Sequence, residues 1–206
     1  MTSEASPPRS RRSGDEIRAR MLAAARAIFA ERGYAGASTK EIAQHAEVAE
    51  VLLFRHFGNK AGLFDEAVLH PFDTFVDEWV ARWSRHGLRG DSVDELSHEY
   101  VQLLYRFFED NRDLLVALFA ARAHHEATAA RLDGLFARLE ETVREGAAEH
   151  GLPIREPGIT VRLTFGLVLS AVVHSDILFP SGMSLSRKEI TDELTRYMLH
   201  GIAHAY

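Results

Sequence analysis

An all-α protein is what this chain of 206 residues predicts, a small N-terminal trihelical unit leading into a larger set of long helices. Three observations predict it. Apolar residues recur at helical spacing through nearly the whole chain. The period-two alternation of a half-buried strand is almost absent. Glycine- and proline-containing breaks divide the pattern into helix-sized pieces. A hydrophobic fraction of 46% is ample for a core, and a charged fraction of 26% is ordinary for a globular protein. The absence of cysteine excludes disulfides, zinc–thiolate sites and thiol nucleophiles. It fits a reducing cytoplasm, the compartment expected here.

The elements follow in order. Residues 1–14 carry Ser, Pro and Arg without an apolar run, so they read as a disordered leader and not as a secretory signal. A first helix runs from Asp15 to Arg32, its apolar stripe formed by Ile17, Met21, Leu22, Ala24, Ala25, Ile28 and Phe29, with Gly33 as its stop. After a short turn over Tyr34 to Ala37, Ser38 and Glu41 have the spacing of a capping box, opening a second helix from Thr39 to about His45. A turn at Ala46, Glu47 and Val48 leads to a third helix, Ala49 to Phe57, broken by Gly58, Asn59 and Lys60. The remainder reads as a helix from Ala61 to about Arg85, bent at Pro71 and ending in His86 and Gly87, then helices from Ser92 to Asp110 and Arg112 to His125. Another covers Ala127 to His150 and stops at Gly151, Leu152 and Pro153. An apolar helix from Ile159 to Phe179 ends at Pro180, Ser181 and Gly182, and an amphipathic helix from Ser186 to Ala205 closes the chain. The total is about nine helices, divided into a leader (1–14), a head (15–62) and a body (63–206). The apolar window is long enough to raise a membrane span, but Arg162, His174 and Asp176 interrupt it, so it is read as buried in protein, with no membrane partner.

Three short helices near an N-terminus, the second and third joined by a tight turn, form a helix-turn-helix. In that geometry the third helix enters the DNA major groove, and the start of the second faces a phosphate through its free amides and dipole. The charge distribution agrees. Met1 to Gly62 carries ten basic and seven acidic residues, a net +3, which leaves −9 for the remainder of a chain whose total is −6.

The stretch from Ile17 to Phe64 closely resembles the TetR family of bacterial regulators. The resemblance rests on Met21 to Ala25, Ile28 to Tyr34, Ser38 to Ala43, Ala46 to Val48, Leu53 to Phe57 and Asn59 to Phe64. It implies roles position by position. Ser38, Thr39 and Lys40 would face phosphate at the start of the second helix, and Lys60 would meet another phosphate. Glu50, Val51, Leu52 and Arg55 would lie in or beside the groove, Phe54 and His56 would touch backbone and outer bases, and Leu53 and Phe57 would be core. The chain departs from the family pattern at several of these positions. Glu47 stands for a common turn glycine, and Ala49 for a Ser or Thr N-cap worth about 1 kcal/mol. Val51 and Leu52 stand for small or polar residues, and Phe54 lacks a tyrosine hydroxyl. A code of thymine methyl contacts with Arg55 on guanine suits such an apolar reading head, and Glu50 would suit a cytosine amino group.

For the body, the resemblance implies an effector pocket among the middle helices. Trp79, Trp83, Tyr105, Phe108, Phe119, Phe165 and His174 are its candidate lining, and a small hydrophobic or aromatic molecule its expected ligand. It also implies that the last two long helices pair with their copies in a homodimer, placing two heads on a palindromic operator, and that the regulator represses. No enzyme motif stands out: GxSxG, a Gly-rich phosphate loop and His-Glu-x-x-His are absent. No cofactor or metal is expected; His200 and His204, one turn apart, read as ordinary helix residues, as do His124 and His125. The alternatives are a constitutive DNA-binding protein without a ligand, and an all-helical enzyme or interaction module.

Overall fold

Helix α1 (Gly14–Gly36) buries Met21, Ala24, Ala25, Ile28 and Phe29, the stripe that 3.6-residue spacing predicts. Gly33 interrupts it at φ 64° and ψ 176°, a conformation open in practice only to glycine, and one further helical turn follows. Helices α2 (Thr39–His45) and α3 (Glu50–Phe57) complete the trihelical unit. The computed structural model describes residues 14–86, 92–122, 126–150, 154–180 and 183–203, and regular structure among them is entirely helical. The leader expected over 1–14, except for residue 14, lies outside them. So do Gly87, His124, His125, residues 151–153, Ser181, Gly182 and His204.

The next helix is bent, but not at Pro71 itself. Helix α4 (Lys60–Phe64) passes into a π-helical turn (Asp65–Leu69) and then α5 (His70–His86). Proline has no N–H, so a carbonyl one turn back loses its donor. The chain responds by widening. His70 N–H reaches back to Asp65 O, and Ala67 O accepts from Arg26 Nε of α1 at 3.0 Å. Arg18, also on α1, pairs with Glu66 at 2.9 Å. Helix α1 is therefore fastened to the bend at two adjoining points.

The body adds α6 (Val93–Asp110), α7 (Arg112–Arg122), α8 (Glu126–His150), α9 (Pro157–Val173), α10 (Ser175–Leu178) and α11 (Arg187–Ala203). Ser92 and Glu95 form a full capping box: Ser92 N–H donates to Glu95 Oε2 at 2.9 Å, and Glu95 N–H to Ser92 Oγ at 3.3 Å. Ser186 and Glu189 make the same exchange at 2.7 and 3.3 Å, and the Ser186 hydroxyl, also donating to Glu189 Oε2 at 2.7 Å, together with the Ser186 N–H holds the Glu189 carboxyl below its ordinary pKa. At Ser38 the expected box is half made. Glu41 N–H donates to Ser38 Oγ at 3.2 Å, but the Glu41 carboxylate meets Arg32 at 2.7 Å, a stronger partner than a backbone amide.

The apolar helix expected from Ile159 to Phe179 is in fact two. Helical geometry is lost at His174 (φ −108°, ψ 25°), and the Val173 carbonyl at the break accepts from Arg112 Nη2 at 2.7 Å. Among the described residues, no helix is long and apolar enough to cross a membrane. Helix α9 packs on α6 and α8, α11 on α6, and α1 along α7. One buried cluster runs from Met21 to Leu194, joining head and body without a solvent gap.

Gly146 of α8 carries the Trp83 indole. A Cβ there would stand 2.1 Å from the ring. Gly146→Ala should destabilise the fold by about 1–3 kcal/mol through overpacking and shift tryptophan emission, both read in a urea titration followed by fluorescence.

Candidate nucleic-acid interface and effector cavity

The turn between α2 and α3 is closed by backbone bonds from Ala46 N to Ile42 O (2.9 Å), Glu47 N to Gln44 O (3.1 Å) and Val48 N to Ala43 O (3.0 Å). Glu47 adopts φ 52°, the one positive φ of a non-glycine among the described residues, in the place where the family pattern has glycine. Arg20 of α1 donates to the Ala46 carbonyl and, at 3.4 Å, to the Glu47 carbonyl, so α1 holds the turn from behind. Ile42, Ala43, Ala46 and Leu53 are buried beneath it.

Helix α3 has two faces. Leu53 and Phe57 point into the core, as expected. Val51, Phe54 and Arg55 share the opposite face by their i, i+3, i+4 spacing. Val51 is 71% exposed and Phe54 44%. Arg55 and His56 are exposed and Leu52 half-buried. At the neighbouring start of α2, Ser38 and Lys40 are exposed and Thr39 half-buried. Thr39 Oγ1 donates to Glu50 Oε1 at 2.6 Å, tying the first turns of α2 and α3 together. Glu50 thus enters an internal hydrogen bond in addition to the groove-side role expected of it. Ala49 provides no side-chain cap for α3, and the Glu50 carboxylate sits in that first turn, where the helix dipole favours negative charge.

Lys60 opens α4 behind the Asn59 cap, whose Oδ1 accepts from Gly62 N–H at 2.9 Å. Its ammonium lies 4.7 Å from the Tyr34 ring centre, and partial burial lowers its pKa. Arg18, Arg20 and Arg26 have structural roles that the sequence reading missed. They lie outside the apolar stripe of α1, and only the three-dimensional path of the chain brings their partners near.

The expected pocket residues separate. Trp79 and Trp83 line a cavity of about 50 Å³ with Tyr100, Ser97, Leu139, Thr164 and others between α5, α6, α8 and α9. Phe108 and Phe165 line an adjoining void of about 20 Å³ that shares Leu139. Tyr105 is buried, but its hydroxyl is on the side of Glu109 and Arg187; burial first, then Glu109, raises its pKa. Phe119 is 38% exposed on α7. His174 is exposed at the α9–α10 break, because the helix expected to carry it inward ends at Val173. Neither Phe119 nor His174 lines either of these spaces. Tyr100, whose hydroxyl lies buried beside the cavity, was not among the expected lining residues; nothing in the sequence separates it from the other core aromatics.

What the fold and the α2–α3 surface define is a helix-turn-helix head on an all-helical body. Residues 21–67 match the family described as bacterial regulatory proteins, tetR family. Over that N-terminal segment, about a quarter of its length, the chain is similar to the TetR family. The transcriptional activator FasR of Mycolicibacterium smegmatis is 37% identical over 62 residues, 30% of this chain and 28% of FasR. A transcriptional repressor of Mycobacterium tuberculosis is 43% identical over 56 residues, 27% of this chain and 30% of the repressor. The chain thus spans under a third of the length of these relatives. Likeness over the whole fold comes from solved structures. A TetR-like regulator from Rhodococcus superposes with a TM-score of 0.68 at 20% identity, covering 97% of this chain and 100% of the other. FadR from Bacillus subtilis, in complex with stearoyl-CoA, superposes with a TM-score of 0.67 at 15% identity, covering 90% and 99%.

The left-handed conformation of Glu47 is costly for a residue with a Cβ. Glu47→Gly should raise stability by about 0.5–1 kcal/mol, measured as an increase in the urea midpoint at constant slope.

Proposed function

We propose that this protein is a cytoplasmic, ligand-responsive transcriptional repressor that binds a palindromic operator in double-stranded DNA as a homodimer and is released by a small hydrophobic or aromatic effector. The observation that carries the reading is the outward face of α3, where Val51, Phe54 and Arg55 stand clear of the core. Arg55 and Lys40 make no ion pair with a described residue. The head, 15–62, is the reader and the body, 63–206, the sensor. Ser38, Thr39, Lys40 and Lys60 hold phosphates, with His56 on the backbone. Val51, Leu52 and Phe54 meet thymine methyls, and Arg55 reads guanine. Glu50 braces α2 against α3 at the groove edge.

The homodimer is supported by α9, which is apolar on two sides. Val161, Val168, Ala171 and Val172 are buried, while Ile159, Leu163 and Leu167, spaced four residues apart, face outward with Leu163 68% exposed. Gly166 on the same side has nothing within 4 Å of its Cβ position, which permits a close helix crossing. On α11, Tyr197 is exposed as well. An uncovered apolar stripe of this length is what a second copy would bury.

The effector reading is supported by the apolar cavity beside Trp79 and Trp83, and by stearoyl-CoA bound to FadR, a ligand with a long apolar acyl chain on a similar fold. The continuous bent helix from Lys60 to His86 runs from a phosphate-facing lysine to the cavity wall. An effector that prefers one setting of that helix would shift the spacing of the heads.

In a gel shift with the DNA flanking its own gene, wild type should bind in a salt-sensitive way, and Arg55→Ala should bind about 10–100-fold more weakly. Failure of wild type to bind any sequence selected from random DNA would overturn the DNA-binding reading. Leu163→Asp should sediment as a monomer at micromolar concentration and lose most operator affinity; a wild-type monomer there would remove the dimer.

A further inference from the structure

Tyr100 sits on α6 with its ring 4.7 Å from Trp79, and its hydroxyl oxygen is buried without a hydrogen-bond partner among the described residues. A buried hydroxyl left unpaired forfeits its bonds to water with no return, so an orphan in a native core calls for an explanation. This one belongs to a residue lining the cavity between α5, α6, α8 and α9. The same lining holds Ser97, Thr160 and Thr164, and no charged side chain. The rest is apolar, including Trp79, Trp83, Val143 and Met198. Beyond Leu139 the second void continues among Phe108, Phe136 and Phe165.

We infer that this cavity and the adjoining void, which at about 50 and 20 Å³ must widen as their side chains turn, take an uncharged, largely apolar molecule bearing one carbonyl oxygen, and that the Tyr100 hydroxyl donates to that oxygen. The inference rests on the effector reading above and specifies its ligand class. An orphan O–H requires an acceptor, and a carbonyl oxygen supplies one without importing charge. A carboxylate would be buried with no cation to meet it, at a cost that apolar contact does not return. Burial raises the Tyr100 pKa far above that of an ordinary phenol, so the group remains a donor at any physiological pH. Tyr100 is on this account a specificity-determining residue. It separates carbonyl compounds from hydrocarbons of the same shape, while the walls exclude anions.

The chain has two tryptophans, and both line the cavity; Trp79 also borders an open cleft of about 390 Å³ beside Arg82 and Arg106, which Trp83 does not, so a shift of both indole N–H resonances, that of Trp83 above all, reports on occupancy of the cavity. The full-length protein is titrated with acetophenone, ethylbenzene and benzoate. Acetophenone should shift both indole resonances and bind about tenfold more tightly than ethylbenzene, the worth of one buried hydrogen bond. Benzoate should shift neither. Tyr100→Phe should erase the advantage of acetophenone and leave ethylbenzene binding unchanged. Because the variant removes an unpaired hydroxyl, its ligand-free melting temperature should rise by about 2–4 °C, whereas a structural hydroxyl bonded to trapped water would make it fall. Equal binding of acetophenone and ethylbenzene, or a preference that survives Tyr100→Phe, would overturn the inference. Benzoate that bound tightly and dissociated the operator complex would overturn it too, yet leave the effector reading standing. Silence from all three probes would overturn it as well, and if metabolite extracts also left the operator complex intact, the effector reading would fall with it.

Discussion

Three aromatic rings join the two halves of this protein. Phe64, fully buried at the end of α4, meets Phe29 of α1 edge-on at 5.0 Å and Tyr34 beyond the Gly33 break at 5.0 Å. Edge-to-face packing is directional as well as apolar, so the triad sets the angle between α1 and the helix leading into the body. Two polar ties, Arg18 to Glu66 and Arg26 to the Ala67 carbonyl, add to it on the neighbouring turn. Proline at position 71 makes the second tie worthwhile by depriving a carbonyl of its helical donor. The head is therefore not a bead on a linker, and a change in the setting of α5 is felt by α1.

From α1 the constraint passes to the reading surface. Arg20 grips the carbonyls of the α2–α3 turn, and the Thr39–Glu50 hydrogen bond locks the two helix starts. With the third helix fixed on three sides, its fourth side is left to solvent, and the residues there are apolar or cationic. A surface helix exposing Val51 and Phe54 wastes hydrophobic burial in isolation; against a groove lined with methyl groups the same residues would gain it back. The same N-terminal part of the chain is net positive and the remainder acidic, a charge distribution that agrees with the proposed polyanionic partner.

The body shows a second economy. Helix α9 is apolar on two sides, one filling the core and the other bare, while α10 and α11 add Ile177, Leu178 and Tyr197 to the exposed apolar surface. The interior it helps to close is well packed apart from small spaces walled by aromatic rings. The polar residues buried there are a serine and threonines, and the Tyr100 hydroxyl has no hydrogen-bond partner among the described residues.

Most helix boundaries were legible because their signals are local. A serine with glutamate three residues on, a glycine forced to positive φ, and an apolar stripe each act over a turn or two, and Ser92, Ser186 and Gly33 did in the fold what their neighbours implied. The exposed face of α3 was legible for the same reason, since Leu53 and Phe57 leave Val51, Phe54 and Arg55 no inward side. Long-range competition was not legible. Glu41 left its capping role for Arg32, Glu50 took Thr39 as a partner, the bend settled one turn before Pro71 where Arg26 could serve the freed carbonyl, and the apolar helix broke at His174, putting that histidine outside. The sequence by itself determined which segments are helical and which face of each seeks the core, because periodicity and capping are properties of neighbouring residues. Only the tertiary structure decided which charges pair, which aromatic rings wall a cavity and which hydroxyl is stranded beside it. Those outcomes depend on distances between residues tens of positions apart, and a one-dimensional pattern carries no such distances.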